Sequence, residues 1–484
     1  MNDMNKTSRR NFLRNAALAS TAIATGRAET TSPVPAAKHP NVLMVCSDQF
    51  RADFVGINRQ NPSVVTPNID ALAARGTNFQ FAVCNQPLCS PSRASFLTSR
   101  YATETNVWAL EIELNHTLPT IATEFRKAGY SANFMGKWHV SDKNDDQGKP
   151  QYGWLPPGPT RGGFDDLWEG ANITELVSHP DEGNYYADDG TDLRYHDEYR
   201  VDFIAERACA FIEKKHEKPW FLFLSQLEPH QQNDMNAFVP PERYAKDYKD
   251  AFVPRDLRNL PGDWRSHLQG YYGCVQAIDD SVGKLVASLQ RSGQLENTVI
   301  CFFSDHGCTF RTRIGEYKRS PHDSSIRVPL IFAGPGFDHG STVSEVVSLL
   351  DLTPTLLDAA GISVPASMKG RPLKPMLDSL ELRRNWQNAA YIQISQSVCG
   401  RAIRTADWTY ACYDPTVAHG EAPWSKTYTD FALYSNAADP YQQVNLVGRP
   451  DFKATADRLR EKLREMIIAN GEPEPTITPS QFYA

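Results

Sequence analysis

Several large classes of protein are excluded by what this sequence lacks. Basic charge is in deficit: 50 Lys and Arg stand against 57 Asp and Glu, a net charge of −7 over 484 residues. That balance excludes a basic nucleic-acid binder and argues against attachment to an anionic membrane. Beyond the N-terminus no apolar run reaches the roughly 18 residues of a membrane-spanning helix. The longest, such as Val299–Phe303 and Trp220–Leu224, have the length of buried strands. Cysteine is sparse, nine residues without dense spacing, and shows neither a disulfide framework nor a zinc pattern. Internal repeats and low-complexity tracts are missing as well. What remains, 41% hydrophobic and 22% charged, is ordinary globular composition. A chain of this length is expected to divide into more than one domain.

The N-terminus stands apart. Ser8-Arg9-Arg10-Asn11-Phe12-Leu13 precedes a mildly apolar run, Ala16 to Ala24, that ends in Ala22-Ile23-Ala24. Paired arginines before a weak hydrophobic region resemble a twin-arginine export signal, so residues 1–28 are expected to send the chain to the periplasm or outside. Such export moves folded proteins, so cytosolic maturation would precede it.

From residue 38 short apolar runs recur, each followed by polar residues. Asn41–Cys46 leads into Ser47-Asp48-Gln49, and Ser131–Met135 into Gly136-Lys137-Trp138-His139. Trp220–Leu224 leads to Glu228-Pro229-His230, Val299–Phe303 into Ser304-Asp305-His306-Gly307, and Pro329–Ala333 into Gly334-Pro335-Gly336. Helical patterns lie between them at Thr66–Gly76, Tyr271–Arg291 and Ser344–Ala360. Strands alternating with helices predict an α/β domain over 38–374, with a large, mainly parallel sheet between helices. Ligands bind such sheets beyond the carboxyl ends of the strands, so four polar clusters should converge there. The tail reads differently: Ala389–Ile394, Gly400–Arg404 and Trp408–Tyr413 suggest strands joined by turns, and Asp457–Ile468 an amphipathic helix. A smaller α+β unit with an antiparallel sheet is expected over 375–484.

Asp48, Gln49, Asp305 and His306 combine carboxylate, amide and imidazole donors at two strand ends, a set suited to Ca²⁺ or Mg²⁺, with Mn²⁺ open because of the histidine. Arg93, Lys137, His139, His230 and Lys318 add cations that together would form a pocket for a tetrahedral oxyanion. The sharpest segment is Leu88-Cys89-Ser90-Pro91-Ser92-Arg93-Ala94-Ser95-Phe96-Leu97-Thr98-Ser99-Arg100. Ser90-Pro91 should open a helix with Pro91 near its first position. Cys89 would sit just ahead of it, by the positive end of the helix dipole. Spacing alone leaves two readings open: a reactive thiol, or a capped helix with an incidental buried cysteine.

Cys-Ser-Pro-Ser-Arg followed by Ala-Ser-Phe-Leu-Thr-Ser-Arg resembles the signature of the type I, formylglycine-dependent sulfatases of the alkaline phosphatase superfamily. The resemblance runs from Pro40-Asn41-Val42 to the Leu433-Tyr434, Asp439-Pro440 and Asn445-Leu446 segment. It implies that a formylglycine-generating maturation enzyme oxidises Cys89 to formylglycine (3-oxoalanine), whose hydrate is the nucleophile. It further implies a metal, Ca²⁺ by preference, held by Asp48, Gln49, Asp305, His306 and the modified Cys89. Arg93 and Lys137 would steady the diol, Asp305 would accept its proton, and Lys137 and Lys318 would contact sulfate. His230 would contact sulfate and protonate the leaving alcohol, while His139 would assist elimination of sulfate. Two departures stand out: Asp48-Gln49 where many relatives have two acids, and Asp305-His306 where many have Asp-Asn. The first lowers the negative charge of the metal site.

The expected reaction is therefore hydrolysis of sulfate esters on a carbohydrate, such as fragments of algal polysaccharide. Related formylglycine enzymes that cleave phosphonate monoesters or phosphodiesters are the enzymatic rival, and a glycan-binding protein with unconverted Cys89 the non-enzymatic one. Trp154, Arg161, Trp168, His179, Tyr195, His196, Arg311, Arg313 and His322 are candidate rim residues. Among them Arg161 and His322, the latter four residues after Lys318, are expected to bind substrate.

Overall fold

The computed structural model describes residues 39–145 and 147–480; the predicted export segment lies outside them. The main sheet contains β1 (Asn41–Ser47), β2 (Thr77–Val83), β3 (Ser131–Lys137), β4 (Leu167–Ala171), β5 (Glu182–Tyr186) and β6 (Asp192–His196). It continues with β7 (Trp220–Gln226), β8 (Thr298–Ser304), β9 (Arg327–Val328), β10 (Leu330–Ala333) and β11 (Ser341–Ser348). The strand order is β11-β2-β10-β8-β1-β7-β3-β4-β5-β6, with β9 added on β2. The central strands β8, β1, β7, β3 and β4 run parallel to one another, whereas β10 and β5 pair antiparallel with β8 and β4, and β6 antiparallel with β5.

Burial on both faces explains the unbroken apolar runs of the centre. In β1, Val42, Met44 and Cys46 enter one core and Leu43 and Val45 the other, following the two-residue period of a strand. The first core is covered by α2 (Cys89–Thr98) and α5 (Leu352–Ala359). The second is covered by α1 (Pro67–Arg75), α3 (Arg200–Ile212) and α4 (Trp264–Arg291). Among the described residues no helix is long and apolar enough to cross a membrane.

One expectation is overturned. Residues 344–360 are not one helix: β11 runs to Ser348, a 3-10 turn covers Leu349–Asp351, and α5 follows. The cause is a register irregularity between Val343 and Val346, where β11 pairs with β2. It places Val343, Val346 and Val347 inside at i, i+3 and i+4, the spacing that reads as helical.

A second sheet follows, in the order β12 (Ala389–Ile394), β13 (Cys399–Thr405), β14 (Trp408–Asp414), β15 (Thr427–Ser435) and β16 (Thr476–Thr478). It is antiparallel apart from the β15–β16 pair. Helix α6 (Lys453–Ala469) sets Leu459, Leu463 and Ile467 with Tyr391, Ile403 and Leu433 in a core of their own. The sheet's other residues, Ala390, Ile392, Ala402 and Ala432, join the first core of the main sheet.

Candidate active site

Four adjacent parallel strands deliver the polar residues. β1 and β8 pair with Ser47 opposite Ser304, so Asp48-Gln49 and Asp305-His306 leave the sheet level with each other. β7 ends at Gln226, ahead of Glu228-Pro229-His230, and β3 ends at Lys137, two residues before His139. Gln49 and His139 take left-handed backbone conformations, with φ of 69° and 60°, unusual for residues carrying a Cβ. Such conformations persist only where surrounding structure holds them. Here the amide N–H of Gln49 donates to Asp305 Oδ1 (3.2 Å) and that of His139 to the Asn172 carbonyl (2.8 Å).

Cys89 is the first residue of α2 rather than the residue ahead of it, and Leu88 is the N-cap. Its sulfur lies 3.0 Å from Lys318 Nζ, 3.2 Å from His306 Nε2, 3.7 Å from Asp48 Oδ1 and 4.0 Å from Lys137 Nζ. Arg93, one turn on, ties the floor together. Nε donates to Asp305 Oδ2 (3.1 Å), Nη2 to Asp48 Oδ2 (3.2 Å) and Nη1 to Ser225 Oγ (2.7 Å). Lys137 Nζ sits 2.8 Å from Asp48 Oδ2 and 3.0 Å from Glu175 Oε1. His230 Nε2 is 3.1 Å from Lys318 Nζ. All of these residues, and His139 with them, are buried.

These contacts set the electrostatics. Burial pushes the Cys89 thiol up, but the ammoniums of Lys137 and Lys318 outweigh it and hold the thiol well below its ordinary range. The two central carboxylates are driven apart. Burial and Cys89 push Asp48 up, yet Lys137, His230 and Lys318 hold it below the usual range. Burial and the neighbouring Asp48 push Asp305 up. Lys137 is destabilised by burial and restored above its ordinary value by Asp48, Cys89 and Glu175.

Asp48, Cys89, Asp305 and His306 each offer a ligand atom, all within 4.8 Å of one another. The Gln49 amide oxygen faces the same space, 3.5 Å from Lys318 Nζ. His306 Nδ1 lies 3.0 Å from the Gly307 carbonyl, so Nδ1–H is the donor and Nε2 is free to ligate. Two carboxylates, an amide oxygen and one oriented imidazole fit a divalent cation.

Two expected substrate contacts need correction. Arg161 is fully buried: Nε and Nη2 donate to the Leu155 carbonyl, Nη1 pairs with Asp188, and the guanidinium lies 4.7 Å over the Trp168 ring. It braces a loop and presents no donor to a ligand. His322 is buried too, with Nδ1 3.2 Å from Ser320 Oγ and Nε2 3.1 Å from Tyr434 Oη. Both nitrogens are therefore occupied in joining the Lys318 loop to the second sheet. Trp168 belongs to the core and Tyr195 is buried, whereas Trp154, His196 and Arg311 are exposed and His179 is half-buried. Arg313 is half-buried and donates to the Gln442 and Tyr441 carbonyls.

Sequence reading missed Glu175, which meets Lys137 from the 3-10 turn after β4. The signal was available, since Leu167–Ala171 is one more short strand with a polar residue beyond its end. It is masked by reading Trp168 as a rim residue rather than as part of a strand. Ser225 and Cys308, which brace Arg93 and Gln49, carried no signal of their own.

A family model described as Sulfatase matches residues 40–362, and one described as N-sulphoglucosamine sulphohydrolase, C-terminal, matches residues 315–469. The chain belongs to the sulfatase family. It is a sulfuric ester hydrolase with the family's α/β architecture. An ulvan-active sulfatase from Formosa agariphila is 30% identical over 452 residues, covering 90% of this chain and 82% of that one. The crystal structure assigned as sulfatase YidJ of Bacteroides fragilis superposes with a TM-score of 0.76 at 22% identity, over 92% and 98% of the two chains. A phosphonate monoester hydrolase from Silicibacter pomeroyi superposes less closely, with a TM-score of 0.66 at 21% identity, over 90% and 96%.

Proposed function

We propose that this sulfatase hydrolyses sulfate esters on a carbohydrate, using a formylglycine made from Cys89 by a maturation enzyme and a divalent metal, Ca²⁺ by preference. Placement of Cys89 carries the reading: it is the first residue of a helix, ringed by Lys137, Lys318, His139 and His230 above the donor set Asp48, Gln49, Asp305 and His306. Formylglycine supplies, as its hydrate, an oxygen nucleophile, together with a second hydroxyl that lets sulfate depart as the aldehyde re-forms. The metal supplies positive charge that eases ionisation of that hydrate and offsets charge on the sulfate oxygens.

The chain's own residues do the rest. Arg93 fixes both carboxylates and so keeps the donor set in place. Lys137 and Lys318 bind and orient the sulfate, meeting the charge that grows on its oxygens. His230 Nδ1 lies 2.6 Å from the Gln231 carbonyl, so Nδ1–H donates there, and Nε2, beside Lys318, is the position from which the imidazolium form passes a proton to the departing sugar oxygen. His139, near Cys89, takes up the proton when sulfate is released. A sugar substrate accords with the ulvan-active relative, and export by a twin-arginine signal would bring the enzyme to foreign polysaccharide.

The test begins with the tryptic peptide Gly76–Arg93 from protein made alongside a formylglycine-generating enzyme. Its mass should report an aldehyde at Cys89 in place of the thiol. The matured protein should then release inorganic sulfate from sulfated oligosaccharides and stop when a chelator removes the metal. An intact thiol in native-host protein overturns the nucleophile. Faster turnover of a phosphonate monoester or phosphodiester than of the matched sulfate ester overturns the substrate class, the outcome that the Silicibacter pomeroyi neighbour favours.

A further inference from the structure

Glu175 is out of place in an anion pocket. It is buried, its Oε1 lies 3.0 Å from Lys137 Nζ, and its other oxygen, Oε2, is buried without a hydrogen-bond partner. The same Lys137 ammonium is 2.8 Å from Asp48 and 4.0 Å from Cys89 Sγ, so Glu175 stands one side chain away from the reacting position. His139 and His230 also act on its charge. Burial alone would raise the Glu175 carboxyl, but Lys137 and these histidines bring it down to about 2, which leaves it ionised across the working range. Lys137 already has a carboxylate partner in Asp48, so holding the lysine does not by itself require a second.

A fixed negative charge beside an oxyanion site acts unequally on anions of different charge. A sulfate monoester carries one negative charge, and a phosphate monoester close to two at neutral pH. The added repulsion on the second charge is large because the site is buried and little screened. We propose that Glu175 is a specificity-determining residue that makes the pocket reject doubly charged phosphate monoesters in favour of singly charged sulfate esters. The inference rests on the sulfatase reading of this pocket and adds the means by which it tells two similar tetrahedral groups apart. Phosphonate monoesters and phosphodiesters carry a single charge, so Glu175 does not exclude them.

The matured enzyme should be compared with its Glu175→Gln and Glu175→Asp variants on 4-nitrophenyl sulfate and 4-nitrophenyl phosphate. The Gln variant keeps shape and a hydrogen bond to Lys137 while removing the charge. It should raise the phosphate-to-sulfate ratio of kcat/KM by at least about tenfold, and the Asp variant should keep the wild-type ratio. An equal fall on both substrates would make Glu175 a support for Lys137 and nothing more, overturning the proposal. A second readout needs no turnover: calorimetric binding of inorganic phosphate to the wild-type protein and to Glu175→Gln, with inorganic sulfate, a dianion throughout, as the constant-charge reference. From about pH 6 to about pH 8 phosphate takes on its second charge, so its affinity relative to sulfate should fall severalfold in the wild type and less in the Gln variant, and an equal fall in both overturns the proposal. A constant or rising relative affinity overturns the proposal. If no sulfate ester is turned over, the substrate reading fails, while the binding comparison still decides the role of Glu175.

Discussion

Two buried ion clusters invite comparison, one at the carboxyl ends of the central strands and one inside the second sheet. In the second sheet Arg401 Nε donates to Glu472 Oε2 (2.9 Å), Nη1 to the Gly400 carbonyl (2.7 Å) and Nη2 to the Pro423 carbonyl (2.6 Å). Glu472 Oε1 in turn accepts from Tyr391 Oη (2.5 Å) and Gln393 Nε2 (2.6 Å). Each side-chain nitrogen and oxygen of Arg401 and Glu472 has a partner, so none is left for a ligand. Around Cys89 the cations crowd a single sulfur, while His139 Nδ1 and Glu175 Oε2 are buried without partners. Burial of charge is common to both. What separates a structural cluster from a working one is the polar capacity it leaves unused.

Substitutions should divide along that line. Cys89→Ala should lower sulfate release by more than about 10³-fold, because the proposed nucleophile is lost, with little change in the melting curve. Glu472→Ala should do the reverse, leaving a buried guanidinium uncompensated. Urea titration should show a loss of about 3–5 kcal/mol, with turnover per folded molecule unchanged. Equal losses of activity in both variants would erase the distinction.

Asp351 sharpens it through pH. Burial raises its carboxyl to about 6 despite hydrogen bonds from the Ser348 and Arg371 amides. The folded protein therefore binds this proton more tightly than the unfolded chain, whose aspartates titrate near ~3.9. The stabilisation is complete below the unfolded value and is lost as pH rises through about 6. Relative to Asp351→Asn, the wild type should gain up to about 2 kcal/mol between neutral pH and about pH 4. A pH-independent difference would show that this carboxyl is not the group that titrates.

The smallest effect is expected at His322. Alanine there should cost about 1–2 kcal/mol of stability by releasing the Ser320 and Tyr434 contacts, and should leave KM for a sulfated oligosaccharide unchanged. A raised KM with an unaltered melting curve would restore His322 as a substrate contact.

The centre of the fold was legible because its strands are buried on both faces and appear as uninterrupted apolar runs. The edges were not: β5 carries Glu182-Gly183-Asn184 and β6 carries Asp192-Leu193-Arg194, half-solvated strands with no apolar run to detect. The site followed the same rule. Asp48, Lys137 and Asp305 announce themselves by ending readable strands, and Cys89 and Arg93 by their motif. Glu175 follows β4, whose five residues were not read as a strand, and was lost with it. Arg161 and His322 failed for the opposite reason. Residue type and position suggested a ligand, but only three dimensions reveal that loop carbonyls and a tyrosine already occupy their donors.

The burial of Cys89 also imposes an order of events in time. In the folded protein its side chain is enclosed by residues that lie far downstream, His306 being 217 positions later in the chain. No other enzyme can reach that sulfur once Asp305, His306 and Lys318 have closed over it. At ribosomal speeds of ~5–20 residues per second, synthesis of the intervening chain takes roughly 10–40 s. If Cys89 is converted as proposed, access to it is a race between the maturation enzyme and the ribosome, and slowing translation between residues 89 and 306 should raise the fraction of chains converted.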